Sequence, residues 1–585
     1  MTIRSLLLCT TVLTGLSTAA FAAEMSFSPV KFPETDTEKR AAVASEAVTV
    51  DGTEHKIGYH VLMRSGDMDV GILTDKDGNP VKNEDGSIHV SVDADFTSLL
   101  PVGGKLFSVS HFESRPGAMY VSELKQGEDG LLTVVSTKPV DFSAFGGLWV
   151  PCAGSVTPWG THLGSEEYPA DARAIEDAKT IEDIDDYNKP MVRYFGLNLS
   201  DMTVDDFRAA YNPYRYGFVT EVTVAEDGTA TPQKHFATGR VAVELGYVMP
   251  DEKTVYISDD GTNVGLFRFV ADTAGDLSAG TLYAAKWTQT SDEGAGAADL
   301  SWIDLGHADD ASVQKLIEAG TKFSDIFEVG EMAEDGTCGE GFMGSNAEGA
   351  AECLKVKDGM ELAASRLETR RYASMMGATT EFRKMEGITF DPATSKLYLA
   401  ISSVERGMED NAKNGKATDK YDKGGRNDIK VGSNKCGAVY ELDIDGDMVA
   451  STIRSVVEGK ETSYEDGSPY AGNSCDVDAI ANPDNLTFVK GTRTLIIGED
   501  TGSGHQNDAI WAYNMDSKEL TRIMTTPYGS ETTSPYWYGD INGHGYLIAV
   551  IQHPYGESDQ DKLSDAADAR AYIGYVGPFP AIAEK

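Results

Sequence analysis

The 585-residue chain carries 93 Asp and Glu against 50 Lys and Arg, a formal charge of −43. That balance excludes nucleic acid and anionic membrane surfaces as binding partners, since both would repel it. It accords with cation binding and with a solvated, salt-tolerant surface.

The first residues, MTIRSLLLCTTVLTGLSTAAFAAE, combine one basic residue, an apolar run and an Ala20-Phe21-Ala22 cleavage pattern. Residues 1–22 therefore read as a secretory signal cut after Ala22, and the mature chain from 23 to 585 as a periplasmic or secreted protein. Cys9 lacks the apolar stretch before it that lipid attachment needs, and no later segment reaches the roughly 18 apolar residues of a membrane span. No membrane anchor is expected.

From there on, short apolar runs alternate with Gly, Asp and Asn turns. KIGYHVLM, KLFSVSHF, MYVSEL with LLTVVST, TVYISDD, LFRFVAD, TLYAAKW, KLYLAISS, AVYELDI with MVASTIRS, LTFVKG, TLIIGED, AIWAYNM, LIAVIQH and YIGYVGP all read as strands, many paired as hairpins. Units such as TFDPATSKLYLAISS and TFVKGTRTLIIGED repeat the order strand, polar turn, strand, acidic end. An all-β fold follows, a β-propeller in preference to a sandwich. Helical patterns are confined to 309–330 and 346–376, with an acidic stretch at 174–188 and a polar Gly-rich loop at 407–432. These are expected as insertions on one face of a single domain, because no linker divides the chain.

Five cysteines remain in the mature chain, an odd number for an oxidising compartment. Cys338 and Cys353 flank a Gly-rich loop and read as a local disulfide; Cys436 and Cys475 are available for a second. Cys152 is left over, in LWVPCAGSVTPWGTHLGSEE. A phosphate-binding P-loop, an H-E-x-x-H zinc helix and a G-x-S-x-G nucleophile elbow are all absent from the sequence. The formal G-x-G-x-x-G at Gly339, Gly341 and Gly344 lies within the Cys338 to Cys353 loop and lacks the strand-to-helix context of a dinucleotide site. DIDGD at 443–447 reads as a hairpin turn, with its Gly misplaced for a calcium loop.

What remains is a set of carboxylates at strand ends: Glu166 and Glu167, Glu244, Asp259 and Asp260, Glu386, Asp484 beside Asn485, Glu499 and Asp500. Aimed at one region, they would repel one another unless cations sat among them. Oxygen ligands suit calcium or magnesium, and a thiolate suits a softer or more highly charged transition metal. His162, His235, His505 and His544 read as structural histidines; His553, in IQHPYGE, carries more weight.

The ordered segments SRPGAMYVSEL, CAGSVTPWGTHLGSEE, HFATGRVAVELG, VYISDDGTNVGLFRFV, MEGITFDPATSKLYLAIS, NPDNLTF and IQHPYGE resemble the signature blocks of PhoX-type alkaline phosphatases, from about residue 105 to 557. The resemblance implies a six-bladed propeller with a mixed iron and calcium cofactor. Cys152 and Glu244 would then ligate iron, and Glu166 or Glu167, Asp260, Glu386, Asn485 and Glu531 would serve iron or calcium, with Asp259 and Asp484 further candidates. It also implies a monomeric hydrolase that releases inorganic phosphate from monoesters, and possible diesters, by metal-assisted phosphoryl transfer. Two features depart from the family. The signal holds Arg4 alone where the family usually carries a twin-arginine signal, and the family's Arg-Pro-Glu-Asp stretch reads Lys384, Met385, Glu386, Gly387 here. Lys384, with Arg383 beside it, is left to contact phosphate, as a point charge without the bidentate fork. The competing readings are a calcium-only propeller hydrolase acting on phytate or a lactone, which has no use for a thiolate, and a non-catalytic calcium-binding propeller.

Overall fold

Short alternating segments joined by tight turns can satisfy their backbone groups only by pairing with the next segment. The computed structural model, which describes residues 22–83, 85–410 and 421–583, is built this way almost throughout. All of the expected signal peptide 1–22 except its last residue, and 411–420 of the 407–432 loop, lie outside the described residues. Among those described, no helix is long and apolar enough to cross a membrane.

Six antiparallel meanders follow one another, numbered I to VI here. Meander I comprises Ala94–Val102, Lys105–Phe112, Ala118–Gln126 and Leu132–Pro139. Meander II comprises Ser155–Val156, His162–Gly164, Val219–Val224 and Ala230–His235. Meander III runs from Val243–Val248 through Thr254–Asp259, Phe267–Thr273 and Asp276–Ser291 to Ala297–Asp309. Meander IV comprises Met385–Asp391, Lys396–Ile401, Ala438–Ile444 and Ala450–Glu458, and its last strand pairs with the last strand of III. Meander V comprises Pro483–Val489, Thr494–Glu499, Ala509–Asn514 and Leu520–Thr525. Meander VI takes Glu531–Ile541, His544–Gln552 and Tyr572–Pro580 from the C-terminal end of the chain and its outer strand, Gly58–Arg64, from the N-terminal end. The two ends of the fold are thus tied by main-chain hydrogen bonds.

The first strands of the meanders adjoin in cyclic order, I to II, II to III and so on, with VI returning to I. Apolar side chains fill each gap between neighbouring sheets. Val109 and Val121 meet Val222 between I and II; Leu163 and Val219 meet Ile257 and Phe269 between II and III; Tyr256 and Leu245 meet Leu399 and Tyr440 between III and IV. Tyr398 meets Leu486 and Trp511 between IV and V, Ile496 and Ile510 meet Leu547 between V and VI, and Ile548 and Tyr546 meet Leu99 and Leu106 between VI and I. Each such buried side chain contributes roughly 1.5–3 kcal/mol, so stability is spread around the ring.

Five of the six first strands, all but that of meander II, share a local irregularity that prepares the site. Pairing with the second strand slips between Ala94 and Thr97, Val243 and Gly246, Met385 and Ile388, Pro483 and Leu486, and Thr533 and Tyr536. Such bulges bend a strand and re-aim a side chain. The residues they re-aim include Asp95, Glu244, Glu386, Asp484 and Ser534. At Gly387 an added Cβ would lie 2.5 Å from Asn485 Cα and from Leu486 N, so glycine lets the first strands of IV and V approach.

Two expectations need correction. The stretch from 346 is not helical at its start: Met343–Ala347 and Ala350–Val356 are strands, and helices occupy only Glu361–Leu367 and Thr369–Met376. Pairing of Ala350–Val356 with Phe327–Gly330 as well as Met343–Ala347 overrides the local helical pattern. In the preceding segment the helix Asp310–Glu318 ends near Gly320, followed by Phe323–Ile326 and a strand. Cys338 pairs with Cys353 and Cys436 with Cys475, while Cys152 is unpaired and buried.

Candidate metal centre

Three overlapping sets of side chains bring potential ligand atoms within 4.8 Å of one another: Asp95, Glu113 and Cys152; Cys152, Glu167 and Glu244; and Glu244, Glu386 and Asp484. Cys152 belongs to two sets and Glu244 to two, so the three form one chain of sites. Asp95, Glu244, Glu386 and Asp484 arrive on the bulged first strands of I, III, IV and V, whereas Cys152 and Glu167 flank the short hairpin that begins II. Ser165 Oγ accepts from the Cys152 amide at 3.0 Å and donates to the Ala153 carbonyl at 2.8 Å, which locks the two flanks of that hairpin together.

Below Cys152 lies a histidine pair, His111 and His162, both fully buried. His111 Nδ1 lies 2.6 Å from the Cys152 carbonyl, which can only accept, so this nitrogen donates. Its Nε2 then accepts from His162 Nε2 at 2.6 Å, leaving His162 Nδ1 to accept from Ser98 Oγ at 2.8 Å. Burial lowers both histidines, His111 to about 4, so the pair is a neutral hydrogen-bonded prop.

The electrostatics of the group are one-sided. Burial, followed by Asp95, Glu244, Glu167 and Glu113, pushes the Cys152 thiol well above its ordinary value. Glu167, Glu244 and Asp484 are raised by burial and by their carboxylate neighbours, and Glu113 and Glu386 rise to about 8 for the same reasons. Six carboxylates and a thiol cannot ionise together in a dry site unless cations lie among them, and a bound cation inverts the balance. The donor set fits that requirement: oxygen atoms throughout for a hard cation, and one sulfur for a transition metal. Neutral donors brace it. Asn485 Nδ2 donates to Glu244 Oε1 at 3.1 Å, Ser534 Oγ donates to Asp95 Oδ1 at 2.7 Å, Gln552 Nε2 donates to Glu113 Oε2 at 3.0 Å, and Ser402 Oγ donates to Glu386 Oε1 at 2.9 Å.

The expected site residues divide in place. Glu167, Glu244, Glu386, Asp484 and Asn485 come together with Cys152. Glu166 does not join them: Lys234 Nζ sits 2.6 Å from its Oε1, and it accepts from the amides of Trp149 and Gly217. Asp259 is likewise held by Arg370 Nε at 2.9 Å and by the amides of Ala242 and Gly265. Both are buried with partners inside the fold and lie outside the three ligand sets. Asp260 faces the other way and raises Glu167 and Glu386. Burial, followed by Asp500, Asp484 and Asp95, raises Glu531 well above its ordinary value, but it lies outside the three sets. His553 lies 3.8 Å from Glu531 and is gripped by Glu557 at 3.2 Å and Asp93 at 3.5 Å. Burial lowers His553, and Asp93 with Glu557 outweigh it, to about 10.

Lys384 places its Nζ 3.3 Å from Asp500 Oδ2 and 3.4 Å from Glu386 Oε1, on a backbone held at φ +45°. Burial acts to lower its pKa, but Glu386, Asp260 and Asp500 prevail and hold the ammonium charged. Arg383 turns aside, donating from Nη1 to the Gly261 carbonyl at 3.1 Å, with Glu405 at 3.8 Å. Sequence reasoning missed Asp95 and Glu113. Asp95 had a signal: it occupies the same bulge position in meander I that Glu244 and Glu386 occupy in III and IV. Glu113 had only its place just before SRPG.

Bulged strands and one hairpin thus bring buried carboxylates and a thiol together as a candidate metal centre in a mostly β fold. The family model "Alkaline phosphatase PhoX" matches residues 122–555, and the chain belongs to that family of alkaline phosphatases. Among solved structures, Pseudomonas fluorescens PhoX in complex with vanadate, a transition state analogue, is similar in fold over 95% of this chain and 98% of its own, with a TM-score of 0.59 and 18% identity. Pseudomonas aeruginosa periplasmic gluconolactonase matches far more loosely, over 84% of this chain and 95% of its own, with a TM-score of 0.28 and 10% identity. No curated protein sequence matches.

Proposed function

We propose that this chain is an exported phosphatase that hydrolyses phosphate monoesters, with diesters as further substrates, with iron held by Cys152, Glu244 and Glu167 and calcium held by the remaining carboxylates. The six meanders form the six blades of a propeller, residues 1–22 direct export to the periplasm or beyond, and the enzyme works as a monomer. The observation that supports this best is the sharing of Cys152 and Glu244 between adjacent ligand sets, which a lone calcium site would not need. Bound there, the metals would supply the positive field that offsets charge on a transferring phosphoryl group. Lys384 adds a charged ammonium beside Glu386, placed to take one phosphate oxygen, while Arg383, turned toward Gly261 and Glu405, adds positive charge only at longer range. Asn485 and Ser534 hold Glu244 and Asp95 in position, and the His111–His162 prop keeps the Cys152 backbone fixed.

The deciding test is elemental analysis of the purified protein together with p-nitrophenyl phosphate hydrolysis by wild type and Cys152→Ser. Iron and calcium in the wild type, with iron lost and turnover down at least about a hundredfold in the variant, support the assignment. Calcium without iron, or turnover indifferent to the thiol, overturns it.

A further inference from the structure

The sequence has 25 Tyr, 21 Phe and 6 Trp, yet among the described residues Tyr168 is the most exposed aromatic residue, at 37%. It is the residue that follows Glu167, itself 3% exposed and part of the ligand cluster. Tyr168 takes φ +42°, a left-handed conformation that a bulky residue enters at a cost of about 1–2 kcal/mol. Such strain persists where the surroundings impose it. Here the chain must turn sharply after Glu167 to reach Pro169, and Tyr168 is anchored at both ends. Its hydroxyl donates to Asp260, and its ring meets Tyr187 edge to face with centroids 6.2 Å apart. Tyr187 is fixed in turn by the Arg115 guanidinium, stacked 3.7 Å above its ring, and by Trp149. Because Tyr168 is the next residue after Glu167, this pair of rings stands beside the cluster.

A rigid aromatic face is therefore held at the rim of a charged site, where leaving it exposed gains the fold nothing. We infer that Tyr168, backed by Tyr187, is the subsite for the leaving group of the ester, and that it favours planar aromatic alcohols over aliphatic ones. A planar ring stacks on the tyrosine face with a gain that a flexible alkyl chain does not match. The phosphoryl group would lie over the cluster, and the ester oxygen would point toward Tyr168.

This inference rests on the phosphatase reading, and the test separates the two. kcat/KM is measured for phenyl phosphate and for ethyl phosphate with metal-replete wild type, Tyr168→Leu and Tyr168→Phe. Tyr168→Leu keeps volume and loses the aromatic face; Tyr168→Phe keeps the face and loses the bond to Asp260. The expected result is a fall of about tenfold in the phenyl-to-ethyl ratio for Tyr168→Leu and an unchanged ratio for Tyr168→Phe. Parallel loss on both esters in Tyr168→Leu, or a ratio that falls equally in Tyr168→Phe, overturns the subsite and leaves Tyr168 as a support for Asp260. Absence of turnover on either ester by the wild type overturns the phosphatase reading itself. Ethyl phosphate hydrolysis by Tyr168→Leu reports that the variant is folded and loaded.

Discussion

Three pairs of neighbouring acids stand at strand ends, and each pair splits the same way. Glu166, Asp259 and Glu499 point into protein that was built to receive them. Lys234 neutralises the first and Arg370 the second; the third accepts from the amides of Ala481 and Ala509, from Trp511 Nε1 at 2.6 Å and from His505 at 2.9 Å. Glu167, Asp260 and Asp500, one residue on, face the cluster and Lys384. Successive residues of an extended chain point to opposite sides, so one member of a doublet can anchor the fold while its neighbour serves the site. The two regions also balance charge differently. The anchors carry their counter-charges or donors within the fold, while the site leaves a large excess of carboxylate that is offset by an added cation or, without one, by protonation.

That contrast can be broken most severely at Glu167 and Lys234. Glu167→Gln removes a ligand and should cut turnover at least about a hundredfold with metal content reduced, while the melting temperature of the chelated protein hardly moves. Lys234→Met should do the reverse. It leaves Glu166 buried without its partner, at a cost of about 3–5 kcal/mol in denaturant unfolding, with metal per folded molecule retained. Similar losses of activity and stability in both variants would show that the two regions are not separable.

Metal removal sharpens the same point through pH. In the stripped protein Glu113 and Glu386 have folded-state values near 8, raised above the ordinary 4.5 by burial and neighbouring carboxylates. The folded state then binds more protons than the unfolded one between those values, so stability must fall as pH rises from about 4.5 to 8. Thermal melts in chelator should drop by on the order of 5 °C over that window, and the loaded protein should not follow. Parallel curves with and without metal would mean that no cation offsets the cluster.

A smaller effect is expected at His235, far from the ligands. It bridges Glu221 at 2.8 Å and Asp310 at 3.7 Å, tying the helix Asp310–Glu318 to meander II. Burial lowers it, but the two carboxylates prevail and raise it to about 9. Its contribution is complete below the unfolded value near 6.5 and lost as pH rises through 9. His235→Gln should cost about 2 kcal/mol at pH 6 and almost nothing at pH 10, read from denaturant midpoints at the two pH values. An equal cost at both would assign the residue a packing role only.

How much of this was legible in the sequence depended on whether a residue's partner was local. The outer and middle strands, such as KLFSVSHF and TLIIGED, announce themselves by apolar runs and turns, because their hydrogen-bond partners lie a few residues away. The first strands Ala94–Val102, Val243–Val248 and Glu531–Ile541 are harder to see, since the bulge and its polar residue interrupt the apolar pattern at the point where function requires it. The Cys338–Cys353 disulfide was legible from its short spacing, whereas Cys436 and Cys475, 39 residues apart, were only available for a second until the fold brought them together, and Cys152 stood out as the odd thiol.

The sequence alone determined the all-β class, the odd count of cysteines, and the ligand types: one thiol, many carboxylates, few cations. Those are properties of composition and short-range order. Only the tertiary structure decided which acid of each doublet belongs to the site, and that Asp95 and Glu113 join it. The partners that settle each case, Lys234 for Glu166, Arg370 for Asp259, and Ser534 and Cys152 for Asp95, lie 68, 111, 439 and 57 residues away. Their proximity is a consequence of closing the ring of meanders.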